Sequence, residues 1–332
     1  MSLPDASPVV DLIEAFRRSK TMFAAVEMGI FDRIAGGTKT PRELAGDDSV
    51  ETMARFLDAC VSLGFLEKKG DQYANTDLTS AYLCRNSPHT MAGYIGYSNR
   101  VLYPMWGHLE DAVKEGTHRW KQTFGLQGGS LFSHFYRTDE DRREFLLGMH
   151  GFGVLISPAV VAAFDLSHFR RMVDLGGGTG HLAMAAGGLY TEMSVAVFDL
   201  PGAVECAREF TAGSRVELLG GDFFSDPLPA ADLYALGRIL HDWSEEKIRL
   251  LLGRIYTSLP AGGGLLIAEK LLREDLSGPV HAHMQSLNML VCTEGRERSF
   301  SQYADLLKEA GFSEMEGRVT GVGLDAVLAR KG

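Results

Sequence analysis

Cysteine is scarce in this chain. Cys60, Cys84, Cys206 and Cys292 are spread over 332 positions, with no CxxC pair and no histidine at zinc-finger spacing. That pattern predicts neither a disulfide framework nor a metal site, and it predicts a reducing, cytoplasmic environment. Basic charge is in deficit as well: 33 Lys+Arg stand against 43 Asp+Glu, a net charge of −10. Such a balance repels a phosphate backbone, so no nucleic-acid partner is expected. An uninterrupted apolar leader is missing, because MSLPDASPVVDLIEAFRRSK is interrupted by acids and arginines; secretion is not expected. One uncharged run, Phe145 to Phe164, has the length of a bilayer span. It carries Gly148, Gly151, Gly153 and His150, and its Ser157-Pro158 pair reads as an N-cap followed by proline at the first helical position. Two buried helical segments are expected there, and no membrane partner. A P-loop, an internal repeat and a low-complexity tract are also missing.

What is present is the composition of a globular protein. With 45% hydrophobic and 23% charged residues, neither wholesale disorder nor a collagen-like or coiled-coil chain fits, and the length suits two domains. Val9, Leu12, Ile13 and Phe16 form one apolar stripe and Phe23, Val26, Ile30 and Phe31 another, at helical spacing up to a break at Gly36-Gly37. Thr40, Pro41 and Glu43 form a capping box, and a longer helix then leads into a hairpin turning at Gly70-Asp71. Short helix, longer helix, hairpin is the order of a winged helix. Its longer helix offers Glu51, Met53, Arg55, Phe56, Leu57 and Asp58, which do not read base edges, so a protein-interaction module is expected. We place that module at residues 1–92. A helical connector follows at 93–167, and from 168 to 332 apolar strands alternate with helices, the pattern of a parallel sheet covered on both faces.

The sharpest local signal is Asp174-Leu175-Gly176-Gly177-Gly178-Thr179-Gly180, a strand running into glycines and then a helix. Glycines are needed where backbone turns tightly and approaches a ligand. Gly178, Gly180 and Ala183 also satisfy G-x-G-x-x-A, so a nicotinamide oxidoreductase stays open at this point. Asp199, ending the next strand before Leu200, is placed to accept from both hydroxyls of a ribose. Asp222 after the third strand suits an adenine amine with Phe223 on the purine, or simply a loop N-cap. His241 follows the fourth strand, at the carboxyl ends where open α/β sheets bind ligands, with Glu269 and Glu297 as carboxylates able to orient it. His281-x-His283 lacks a third metal ligand, and Arg296 and Arg298 suit ion pairs.

VDLGGGTGHLA, VFDLP, GDFFSDPLPAADLY, RILHDWSEEK, AGGGLLIAE and SLNMLVCTEGRERS occur in the order and spacing that resemble the S-adenosylmethionine (SAM)-dependent O-methyltransferases related to caffeate and hydroxyindole O-methyltransferases, nearest their acetylserotonin O-methyltransferase branch. The resemblance implies an α/β fold: a Rossmann-like class I methyltransferase domain with an N-terminal helical winged-helix dimerisation domain, and a homodimer. It implies SAM contacts from Asp174, Gly176, Gly178, Asp199, Leu200, Asp222, Phe223, Arg238 and Tyr136. His241 would be the general base, flanked by Glu269 and Glu297, with Phe145, Asn288 and Met289 near a small aromatic hydroxyl acceptor. Gly153 stands where that branch has a tryptophan, which implies a roomier pocket and a different acceptor. A catalytically silent SAM-binding interaction protein is the remaining alternative.

Overall fold

The computed structural model describes residues 3–126 and 131–332; residues 127–130, within the expected connector, lie outside the described residues. Two compact units divide after Val101, later than the expected boundary at residue 92. Packing explains the difference. Ala92 and Ile95 belong to the apolar core of the first unit, together with Val26, Ile30, Phe31 and Leu57.

The first unit contains α1 (Ser7–Glu27), α2 (Ile30–Ile34), α3 (Pro41–Ala45), α4 (Val50–Ser62), β1 (Leu66–Lys69), β2 (Gln72–Asn75), α5 (Asp77–Tyr82) and α6 (Ala92–Tyr97). Thr40 and Glu43 close their capping box at α3, and Ser49 caps α4. The two apolar stripes have different fates. Val26, Ile30 and Phe31 are core, whereas Val9, Leu12, Ile13 and Phe16 of α1 remain 61%, 74%, 58% and 53% exposed. A run of that kind has no counterpart in its own unit to cover it.

The second unit runs α7 (Tyr103–Trp106), α8 (Leu109–Glu115), α9 (Trp120–Phe124), α10 (Leu131–Phe135), α11 (Asp139–Val161), β3 (Arg171–Leu175), α12 (His181–Leu189), β4 (Ser194–Asp199), α13 (Pro201–Thr211), β5 (Glu217–Gly220), β6 (Leu233–Gly237), α14 (Glu245–Ser258), β7 (Gly264–Glu269), α15 (Val280–Cys292), α16 (Phe300–Ala310), β8 (Glu314–Arg318) and β9 (Asp325–Arg330). Among the described residues the strands form a seven-stranded sheet in the order β5-β4-β3-β6-β7-β9-β8. Pairing is parallel from β5 to β7, and β9 is antiparallel to both of its neighbours. Burial on both faces is why β6 and β7 read as apolar runs up to Glu269 at the end of β7, while β3 is apolar apart from Arg171 at its start and the buried Asp174. The order reverses between β3 and β6, so the crevice for a ligand opens at their carboxyl ends.

Residues 145–164 do not form two helices. One continuous helix, α11, carries Pro158 in its interior, and its N-cap is Thr138, which accepts from Asp141 N. Ser157 cannot cap a second segment because its hydroxyl is engaged with His181 Nδ1 at 2.9 Å. Burial of Ile156, Val160 and Val161 in the sheet-domain core outweighs the backbone hydrogen bond that proline removes. By length and composition α11 is also long and apolar enough to cross a membrane.

Candidate active site

The loop after β3 depends on backbone that only glycine adopts without strain. Gly176, Gly178 and Gly180 have φ of 70°, 54° and 82°, and a Cβ on Gly176 would lie 2.5 Å from Ile239 Cδ1 and 3.3 Å from Phe223. Asp174 sits beneath this loop. It is 1% exposed, and its carboxyl lies 2.7 Å from where a Gly177 Cβ would be. Burial, and then the Asp199 charge, push its pKa up to about 7 against a hydrogen bond from the Ala183 backbone. Asp174 Oδ2 is buried there without a hydrogen-bond partner.

Asp199 closes β4. Its two carboxylate oxygens accept from Gly178 N at 2.8 Å and Leu200 N at 2.7 Å, which ties the glycine loop to the start of α13. Each oxygen keeps a second lone pair for a ligand hydroxyl. Burial raises this carboxyl to about 6, opposed by the same two N–H groups. Asp222 accepts from Phe224 N at 2.8 Å, the side-chain turn of a loop, and that turn places Phe223 near Gly176. Arg238, just past β6, has φ 57°. Its guanidinium stacks 5.1 Å from the Phe152 ring centroid, and Nη1 is buried without a hydrogen-bond partner.

His241 lies on the short 3-10 turn Leu240–Asp242. Glu269 builds that turn: its Oε1 accepts from the backbone N–H groups of Ile239, Leu240 and His241 at 3.0, 2.9 and 3.3 Å. Glu297 takes the side chain, with Oε1 2.7 Å from His241 Nδ1, the length of a charge-assisted hydrogen bond. Glu269 Oε2 is 3.1 Å from the same nitrogen but finds no hydrogen-bond geometry, so Glu297 orients the ring. Burial lifts both carboxyls above the usual carboxylate range. With Glu297 as a carboxylate, Nδ1 donates to it and Nε2 is the acceptor. Among the described residues these three side chains also form a group whose ligand atoms lie within 4.8 Å, and the 2.7 Å contact identifies it here as a hydrogen-bonded triad.

Two family models match this chain: an O-methyltransferase domain over residues 106–313 and an O-methyltransferase dimerisation domain over residues 10–85. The chain belongs to the O-methyltransferase family. Acetylserotonin O-methyltransferase from Gallus gallus is 41% identical over 330 residues, covering 95% of this chain and 94% of that protein. The Homo sapiens enzyme of the same name is 42% identical over 332 residues, covering 97% and 96%. A crystal structure of human N-acetylserotonin methyltransferase in complex with SAM matches with a TM-score of 0.95 at 41% identity, covering 100% of this chain and 99% of that one. A nicotinamide oxidoreductase is not favoured.

In this O-methyltransferase one flank of the His241 turn is aromatic. Phe132, Phe135, Tyr136 and Phe145 pack on one another with centroids 4.8–6.3 Å apart, and Phe132 reaches Trp243 at 5.5 Å. The cluster joins α10 and α11 to the turn that carries His241. Burial, then the Asp199 charge, raise the Tyr136 phenol well above its ordinary pKa. Asn288 on α15 accepts from Trp106 Nε1 at 2.9 Å, and Met289 is buried. His283 is spent on Leu276 O, and Arg296 pairs with Glu245. Gly153 does not enlarge the pocket: a Cβ there would overlap the imidazole of His181, which occupies the space. The sequence reading missed Asp242, whose Oδ1 is 3.7 Å from His241 Nε2, although its place beside the histidine was a signal. It also missed His181 and Ser157, which no local pattern links.

Proposed function

We propose that this O-methyltransferase moves the methyl group of SAM to the hydroxyl of a small aromatic acceptor, a hydroxyindole first among phenols, with His241 as general base. One observation carries the reading: His241 Nδ1 is held by buried Glu297 at 2.7 Å, which leaves Nε2 able to take a proton. A phenol of pKa near ~10 is mostly protonated at neutral pH, so a base at hydrogen-bond distance lowers the barrier to attack. Glu297 fixes the tautomer and stabilises the imidazolium as it forms.

SAM supplies an electrophilic methyl on a positively charged sulfur. The glycine loop, where a Cβ would fill the approach, and the unpartnered Arg238 Nη1 fit a zwitterionic nucleoside of this kind. Asp199 would accept from the ribose hydroxyls, and Asp222 and Phe223 would hold the adenine. Phe145, Asn288 and Met289 would face the acceptor, and the aromatic cluster keeps water from the reacting oxygen.

The exposed α1 stripe supports a homodimer formed through the first unit, and the order α3, α4, β1, β2 supports a winged-helix description of it. A net charge of −10 and four free cysteines support a cytoplasmic enzyme with neither nucleic acid nor membrane as partner. The test is incubation with SAM and a panel of hydroxyindoles, catechols and other phenols, read by mass spectrometry. A product heavier than its phenol by one CH2 supports the reading; no methylation of any phenol overturns it.

A further inference from the structure

His150, Gly153 and Ser157 share one face of α11, at spacings of three and four. All three meet the glycine loop or the residue that follows it. His150 Nδ1 is 2.8 Å from Thr179 Oγ1, and Ser157 Oγ is 2.9 Å from His181 Nδ1. Between them, a Cβ on Gly153 would stand at nearly equal distances from Cδ2, Nε2 and Cε1 of His181, all under 3.0 Å. Near-equal distances to three ring atoms put that point over the face of the ring, so the imidazole stacks on bare backbone. Any residue larger than glycine at 153 would displace it.

His181 opens α12 directly after Gly180, which provides no side-chain cap. A charged imidazole at a helix N-terminus would oppose the helix dipole. Burial first, then the charges of His150 and Arg238, lower its pKa to about 3, so the ring is neutral and adds no repulsion to a cationic ligand. Sheet order indicates which part of that ligand it meets. Asp199 and Asp222 follow β4 and β5 on one side of β3, while Arg238 follows β6 on the other. On that order the nucleoside half of SAM would lie with the first pair and its amino-acid half on the Arg238 side, and His181, which follows β3 between them, lies near enough to Arg238 for that charge to act on it.

We propose that His181, seated on Gly153 and fixed by Ser157, is a cofactor-positioning residue whose imidazole forms a wall of the SAM site beside the amino-acid half. The proposal rests on the SAM reading above. Its test is a double-mutant cycle of His181→Ala and Gly153→Ala, reading KM for SAM, kcat at saturating SAM, melting temperature, and calorimetric Kd for S-adenosylhomocysteine. His181→Ala should raise KM and Kd about tenfold, the scale of one neutral hydrogen bond, with kcat changed less than about twofold. Gly153→Ala should do the same by displacing the ring, and the double variant should match His181→Ala alone, because no ring then remains to displace. Ser157→Ala, which frees the ring without adding bulk, should raise KM about threefold and carries the test if the other variants fail to fold. Unchanged KM and Kd in His181→Ala or Ser157→Ala, a loss confined to melting temperature, or effects of the first two variants that multiply would overturn the proposal. A wild-type chain that binds no S-adenosylhomocysteine overturns the SAM reading as well, which separates the two failures.

Discussion

Glu297→Gln removes one charge from the triad while leaving its shape nearly intact. In the wild type the carboxylate lies 2.7 Å from His241 Nδ1, and the residues are 1% and 3% exposed. An amide there can still accept the Nδ1 proton, so what is lost is the charge. Hydrogen bonds to charged groups contribute about 1.5–3 kcal/mol and neutral ones about 0.5–1.5. The difference grows in the transition state, where the imidazole becomes a cation. At about 1.4 kcal/mol per decade, kcat should fall about 10- to 100-fold. Glu269, 3.1 Å from the same nitrogen, retains part of the field and favours the lower end of that range. Methylated phenol is measured at saturating SAM with kcat and acceptor KM resolved separately, and KM for SAM should not move. Burial raises the Glu297 carboxyl to about 8, so the two enzymes are compared above that pH, and protonation makes it resemble glutamine. Wild-type kcat should therefore fall as pH drops through that titration, while the variant lacks this acid limb. Combined with His241→Ala, which alone should cost about 10²- to 10⁴-fold, the substitution should add nothing further. Full kcat in Glu297→Gln, or losses that multiply with those of His241→Ala, would refute the orienting role.

Asp199 can accept from ribose hydroxyls only as a carboxylate, and burial raises its pKa to about 6. SAM affinity should therefore weaken as pH falls below about 6 and level off above it; Asp199→Ala should lose about 1.5–3 kcal/mol of binding, and calorimetry across pH 5–8 with equal affinity throughout would contradict this. Glu269→Ala strips the acceptor from three buried N–H groups, so the melting temperature should drop with a destabilisation of about 3 kcal/mol, and a melt identical to wild type would show that the turn does not need it. Leu12→Glu with Phe16→Glu places charge on the exposed face of α1; light scattering should report a shift from dimer to monomer, and an unshifted dimer would move the interface elsewhere.

The sheet and its glycine loop were legible because their causes are local. Parallel strands buried on both faces are mostly apolar, with acids only at or near their carboxyl ends, and backbone at φ 54° to 82° selects glycine whatever lies across the cleft. Asp199, His241 and Glu269 were legible at one remove, since carboxyl ends of parallel strands share one edge. Pairings made by the tertiary fold were a different matter. Glu297 is 56 residues from His241, and its chemistry could nominate it as a partner without giving its distance. Nor could chemistry divide the work between the two glutamates: one oxygen of Glu269 gathers three backbone N–H groups, a task that exists only once the turn after β6 has formed. Ser157-Pro158 carries the local signature of a helix start, yet the serine hydroxyl is captured by a histidine 24 residues away, and the helix continues through the proline. Gly153 misled for the same reason. A missing side chain in one element reads as empty space until the fold brings up the side chain of another, and His181 is already seated there.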